Sequence, residues 1–260
     1  MFFALIAMDL VWALVVIGVA TPASFAAVEA YALALRVTHS VPLALVVATV
    51  AFVVTYVTVA CALCWVIPKP RPGRYTLLKG RDFYLWSVGL IVRRALDIPP
   101  IATLVRQSAL GRTLMLRSAG GKVSFLANMS SDVVVLDPPQ FRLDAGAMLG
   151  SGVLVAGHQI VDGILTIAPV HIESGAEAGL DCRIAPGVRI RANATLQAAT
   201  KVGPFSDVGE GAVVGLGAVL GARVTVGARA RIAPHTYVPN GQVIAADETF
   251  PPPAPQAPTD

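Results

Sequence analysis

Val208-Gly-Glu-Gly-Ala-Val-Val-Gly-Leu-Gly-Ala-Val-Leu220 decides the fold of this chain. An aliphatic residue stands at every sixth position, glycine follows it, and a small residue comes four places on. The period runs well beyond this stretch. Ile172, Ala178, Ile184, Ile190, Leu196, Val202, Val208, Val214, Leu220, Val226, Ile232 and Val238 keep it without a break. Gly179, Gly203, Gly209, Gly215, Gly221 and Gly227 follow six of them, and from Ala176 to Thr236 the fourth residue on is always Ala, Cys, Val, Thr or Ser. Helices repeat every 3.6 residues and strands every two, and neither period survives twelve steps of six. The pattern predicts a solenoid of short parallel strands. Each hexapeptide forms one flat face, its aliphatic side chain points inward, and the small residue fits the tight interior beside it. Glycine would let the chain turn at corners where a Cβ would clash. Three faces make a triangular coil, and coils stack at about 4.8 Å. No single repeat can bury its own apolar face, so neighbours bury it for one another.

Working outward, Leu143, Leu149, Val155 and Val161 fall in the same phase, but Val161 and Ile172 are eleven residues apart instead of twelve. The chain is therefore expected to slip by one residue between them, with a corner loop leaving the wall. Leu143 to Asn240 amounts to about five coils, roughly 25 Å at the strand spacing. Residues 113–142 read as an irregular first coil, and Asp247–Asp260 as a proline-rich disordered tail. The implied domains are a two-helix membrane anchor (1–68), a basic flank with interfacial amphipathic helices (69–115), the hexapeptide-repeat β-helix (116–245) and the tail (246–260).

The chain of 260 residues is 55% hydrophobic and only 14% charged, against about a quarter charged in ordinary soluble domains. Residues 1–68 carry Arg36 against Asp9 and Glu29, and residues 69–112 carry nine Lys/Arg against Asp82 and Asp97. The net charge of +4 thus arises in one segment, which speaks against nucleic acid as a partner. Val41–Ile67 is almost wholly apolar and exceeds the roughly 20 residues that cross a bilayer. Met1–Val28, broken only by Asp9, is a second spanning candidate, joined to the first by a short segment around Ala27–Ser40. A secretory signal peptide cut near Ala23-Ser24-Phe25-Ala26 is the rival reading, though its basic n-region is missing. Lys69, Arg71, Arg74, Lys79 and Arg81 follow the second helix, placing the rest on the cytoplasmic side of the inner membrane. They read as a solvated flank in reach of anionic membrane lipid. Asp82–Leu96, stopped by Pro99-Pro100, and Ile101–Met115 read as interfacial amphipathic helices. Cys61 and Cys64 read as packing thiols inside the spanning helix.

Val208-Gly-Glu-Gly-Ala-Val and Val214-Gly-Leu-Gly-Ala-Val resemble the repeat of the hexapeptide acyltransferases. The resemblance implies a left-handed parallel β-helix, an exception to right-handed crossovers, a homotrimer, and an acyl-CoA or acetyl-CoA donor without a metal. The layout of Tyr84-Leu-Trp, Val92-Arg-Arg, Leu110-Gly-Arg and Leu116-Arg before the repeats is similar to the membrane-linked terminal module of polylysine-synthetase-type nonribosomal peptide synthetases, over about residues 65–242. The implied acceptor is a hydroxyl or amine of an envelope precursor or a small-molecule, peptide-like metabolite.

Acyl transfer needs a base near neutral pKa for the acceptor proton and donors for the oxyanion, and histidine suits the first task. The family places such a histidine in a loop leaving the wall. His158, at the edge of the slip, matches that position, with Asp162 four residues on to orient its ring. A corner histidine bonded to a neighbouring carbonyl is the other reading. His235, in Ile232-Ala-Pro-His-Thr-Tyr237, is the lesser candidate, and His39 reads as interfacial. Arg223, Arg229 and Arg231 on the final coils are candidates for coenzyme phosphates, or simply an exposed charged face. Where the family ends on a Gly-Asn-Pro-Ala-type segment, this chain has Val238-Pro-Asn-Gly-Gln-Val-Ile244, which leaves a non-catalytic oligomeric scaffold open. His158, His171 and His235 do not have the spacing of a γ-class carbonic anhydrase zinc site.

Overall fold

The computed structural model describes residues 2–99 and 101–251. Two compact units emerge: helices up to Pro70 together with Tyr84–Gln107, and Arg71–Phe83 together with the chain from Ser108 onward.

The first unit is built on α1 (Phe2–Thr38) and α2 (Val41–Val66). The connector expected over Ala27–Ser40 is instead helical as far as Thr38. Ala27-Val-Glu-Ala-Tyr-Ala-Leu-Ala-Leu35 is rich in strong helix formers, so only His39 and Ser40 remain between the helices. His39 turns the chain with φ +52°, and Pro42 opens α2 where its missing N–H costs nothing. Ala23, Ala34, Ala44 and Ala60 are buried, small residues that let helix backbones approach. Tyr56 is buried with its hydroxyl donating to the Ala95 carbonyl at 3.0 Å. Leu14, Ile17, Phe25, Leu33, Val37, Leu45, Val50 and Val54 are exposed. Both helices contain apolar stretches, of 31 and 26 residues, longer than the roughly 20 a bilayer core requires. After α3 (Arg81–Arg93) and a 3-10 turn at Arg94–Asp97, the helix expected over Ile101–Met115 is two helices, α4 (Ile101–Gln107) and α5 (Ala109–Ser118). Ser108 divides them because its hydroxyl caps α5, accepting the Gly111 N–H at 3.1 Å, the preferred role of serine at a helix start.

The second unit is a parallel β-solenoid with three walls. The first wall runs in seven strands from Lys122–Val123 to Val243–Ile244, the second in seven from Asn128–Met129 to Thr249–Phe250, and the third in six from Val134–Val135 to Tyr237–Val238. Pairing is strictly in register, as in Ile172↔Ile190, Ile190↔Val208 and Val208↔Val226. All twelve residues from Ile172 to Val238 are buried. So are ten of the eleven small residues beside them, Thr236 alone being half-exposed.

The solenoid has about seven turns, not five. At the start, Val123, Met129 and Val135 already keep the step of six and are buried. Val135 and Leu143 are eight apart, however, so two extra residues hide this coil from the downstream phase. At the end, Ile244 and Phe250 continue the step of six, so the repeat passes the expected boundary at 245. The proline-rich tail from Pro252 on lies outside the described residues. The entry end is covered by α5: Leu116 joins the core, and Arg117 Nη1 and Arg112 Nη2 each donate to a first-coil carbonyl, Val123 O and Met129 O, at 2.7 Å.

The glycine that follows six of these aliphatic residues has a different task from the one the repeat suggested. Added Cβ atoms at Gly203 and Gly227 would meet the backbone of the next coil at 2.4 Å, so glycine there permits coil-to-coil contact. The left-handed corner conformation falls two residues later and is held by non-glycine residues too, including Asp181, Asn193, Ala199, Phe205, Arg223, Arg229 and His235.

Candidate active site

Two irregularities in the winding fall at one corner, where the third wall passes into the first. In the first coil the two extra residues lie in Leu136-Asp-Pro-Pro-Gln140, folded as a 3-10 turn at Pro138–Gln140. In the second coil the chain leaves the wall altogether. Leu143 and Ile172 pair directly though 29 residues apart, where Ile172 and its partner Ile190 are separated by 18. The expected slip of one residue is therefore an insertion of eleven. It forms a hairpin of His158–Val161 against Ile164–Ile167, closed at its base by the Ala168 N–H on the Gly157 carbonyl at 2.9 Å. Val161, in phase with the inward positions by sequence, instead lies near the hairpin tip and is 55% exposed.

The hairpin gains a third strand from the basic flank. Gly73–Thr76 pairs antiparallel with Ile164–Ile167, and the Leu77 N–H reaches the Gly163 carbonyl at 3.1 Å. Residues 71–76 are thus structured rather than a simple solvated flank, with the Arg71 N–H bound to Asp82 Oδ1 at 2.9 Å.

The two insertions meet through His158 and Asp137. His158 Nδ1 lies 2.6 Å from Asp137 Oδ2, which also accepts the Gly157 N–H at 2.9 Å. The Asp137 side chain is 4% exposed and that of His158 19%. Burial of a carboxylate is tolerated when such donors replace water, and a carboxylate on Nδ1 fixes tautomer and ring orientation. Gly157 makes the approach possible: a Cβ there would sit 2.7 Å from Gln140 Cβ and 2.9 Å from Asp137 Cβ.

Asp162 does not orient His158. With φ +49°, it forms the two-residue hairpin turn with Gly163 at φ +72°, the Asp-Gly pair that such turns favour. Four residues of strand put it about 13 Å along the hairpin from His158. Asp137 was the missed residue. Its signal was the step of eight between Val135 and Leu143, which sets Asp-Pro-Pro one coil above the hairpin's exit.

The other candidates are dispersed. His171, on the outside of the first wall, sits 2.7 Å from Asp144 Oδ2 and 4.0 Å from Glu173 Oε1, among Arg142 and Arg189. Burial pushes the Asp144 carboxyl up, but hydrogen bonds from Arg142 and His171, with their charges, outweigh it and hold the pKa below its usual value. His235 lies at the corner between the second and third walls, stacked on Gly217. His39 is outside the solenoid. Arg223 occupies the third-to-first corner, Arg229 the first-to-second corner, and Arg231 the second wall beyond it. These arginines do not converge on one point. Arg229 is held in a fork by Asp247 at 2.6 and 2.7 Å. Among the described residues no group of three or more His, Cys, Asp or Glu side chains is placed to hold a metal ion. Cys182 is buried in the core, and burial pushes its thiol up, which keeps it protonated and inert.

No family model and no curated protein matches this chain. Solved structures do. The acetyltransferase domain of PglB from Neisseria gonorrhoeae, in complex with acetyl coenzyme A, matches at 23% identity and a TM-score of 0.41, over 54% of this chain and 63% of that one. A variant of GDP-perosamine N-acetyl transferase from Caulobacter crescentus, in complex with CoA and GDP-perosamine, matches at 24% identity and 0.39, over 52% and 56%. A hexapeptide-repeat acetyltransferase from Vibrio cholerae matches at 12% identity and 0.29, over 63% and 85%. The first two are thus matched over less than two thirds of their own length.

Proposed function

We propose that this protein is a membrane-anchored acyltransferase. It would move an acetyl or longer acyl group from a CoA thioester to a hydroxyl or amine of an envelope precursor or peptide-like metabolite. One observation carries the reading. The only two insertions between Val123 and Phe250 stack at the same corner, and their side chains, Asp137 and His158, bond to each other. A solenoid built only for shape has no use for a buried carboxylate aligning an imidazole.

In the proposed reaction Asp137 holds Nδ1, so Nε2 takes the acceptor proton as the acceptor oxygen or nitrogen attacks the thioester carbon. The carbon–sulfur bond breaks as the tetrahedral intermediate collapses, and the proton passes to the departing thiolate. Asp137 stabilises the imidazolium formed between these steps. Arg223, at the same corner as the dyad and lower on the solenoid, is the best placed of the three arginines to meet a coenzyme phosphate; Arg229 must first leave Asp247. A left-handed winding, a homotrimer and a cytoplasmic orientation complete the proposal. They are supported by the hexapeptide motif and by the basic residues that follow α2.

The test is label transfer from acetyl-CoA by the full-length protein in detergent or vesicles, against amine and hydroxyl acceptors. Wild type transfers label and His158→Ala loses most of it. Equal inertness of both across broad acceptor panels contradicts the reading. The competing reading, a non-catalytic oligomeric scaffold, is favoured by the scattered arginines. A ligand at 100 times its Kd adds about 2.7 kcal/mol of stability, so an unchanged melting temperature in millimolar CoA would favour the scaffold.

A further inference from the structure

The sheet that carries His158 has two dissimilar ends. At its base, His158, Ile167 and Gly73 lie side by side, with Ile167 buried. At its tip, Val161, Ile164 and Thr76 are aligned, and the chain continues through Leu77 into Leu78. Here apolar side chains face outward. Ile160 is 49%, Val161 55% and Leu78 63% exposed. Beside them on the same short stretch stand Arg74, Lys79 and Arg81, all exposed. Asp162 and Asp82 are the acidic residues nearby in the chain, and Asp82 is engaged by the Arg71 N–H. Exposed aliphatic residues with cations close by in the chain are what an interfacial element offers to anionic headgroups. The covalent path supplies a second constraint. Six residues, and so seven Cα-to-Cα steps, separate the end of α2 at Val66 from Gly73. At about 3.5 Å per residue they reach no more than roughly 25 Å. If α2 spans a bilayer, this sheet cannot be carried far from its surface.

We propose that the three-stranded sheet seats its Ile160–Val161–Leu78 end in an anionic bilayer and thereby presents His158 to acceptors held in that bilayer. Three residues of strand place His158 about 10 Å from Val161, at headgroup level when the tip is seated. The acceptor class that follows is an amphiphile whose hydroxyl or amine sits at the membrane surface. This second half rests on His158 acting as the base; the seating itself does not.

Two measurements on the full chain in vesicles separate these parts. For the seating, Val161→Cys carries an environment-sensitive fluorophore in a background with Cys61, Cys64 and Cys182 changed to alanine. Lys201→Cys, on the third wall, is the control. Lipids brominated near the headgroup should quench the label at 161 severalfold more than at 201. Phosphatidylglycerol should strengthen the difference, and Arg74→Gln/Lys79→Gln/Arg81→Gln should weaken it. Equal quenching at both sites overturns the seating. Should the cysteine-free background fail to fold, hydrogen exchange of the wild type replaces the label. Amides of residues 160–163 then exchange severalfold more slowly in phosphatidylglycerol vesicles than in phosphatidylcholine alone, and unchanged exchange overturns the proposal. For the acceptor, a lysine amide bearing a palmitoyl chain is compared with the same amide without the chain, using labelled acetyl-CoA. Preference for the chain-bearing form is expected. Equal rates overturn the acceptor class, whereas full activity in His158→Ala overturns the acyltransfer reading and leaves the quenching result standing.

Discussion

The second wall and the corner between the third and first walls are made by the same chain under opposite rules. Along the second wall, Ala178, Leu196, Val214 and Ile232 lie one above another at intervals of 18 residues, all buried. From Ala178 to Phe250 nothing on that wall departs from the period. At the corner, two successive coils depart from it, by two residues and then by eleven, and there a carboxylate and an imidazole are brought together. The regular wall supplies stability and position. The corner has room for groups that a strict period would exclude.

That contrast can be broken at several strengths. The largest effect belongs to the wall: Leu196→Asp places a charge in a fully buried site and abolishes cooperative unfolding, while Leu196→Ala costs about 2–5 kcal/mol. Thr195→Ala, one residue away on the outer face, stays within about 0.5 kcal/mol; urea denaturation measures all three. Next comes the corner's chemistry. Asp137→Asn should cost catalysis about two to four orders of magnitude, the range for losing an orienting carboxylate or general base. Asp162→Asn should leave the rate within a factor of about two, because its turn geometry suits asparagine as well. Gly157→Ala comes third. Its Cβ would press into Gln140 and Asp137, costing about 1–3 kcal/mol, and the rate should fall as His158 is displaced. The smallest effect concerns acid. Asp144 has a folded pKa below its unfolded value near 3.9. Its stabilising contribution is therefore present above that value and lost as pH falls through the folded pKa. Asp144→Asn should lower the melting temperature slightly at pH 7 and converge with wild type near pH 2, so that the acid limb between about pH 5 and pH 2 is flatter.

The solenoid was legible because its rule is local and repeated: Ile172 through Val238 report the same inward face twelve times. Val123, Met129 and Val135 obeyed the rule too, but the two-residue insertion after them broke the phase that would have shown it. The hairpin was half visible. A step of eleven between Val161 and Ile172 betrayed a departure, yet a chain one residue short and a chain eleven residues long leave the same remainder when counted in sixes. Asp137 could not be read beside His158, because their proximity comes from coil stacking and not from sequence spacing. Asp162 misled for the converse reason, since closeness along an extended strand is distance in space. In the helical unit, the apolar stretches were plain from length and composition. The continuity of α1 through Ala27–Thr38 rested on helix propensity, which outweighed the expectation of a loop.

The most direct test of the corner as the seat of chemistry is a double-mutant cycle on label transfer from acetyl-CoA with His158→Ala, Asp137→Ala and both together. If the two residues act as one unit, the double variant loses no more than His158→Ala alone. Losses that multiply, or a His158→Ala variant as active as wild type, would contradict the account.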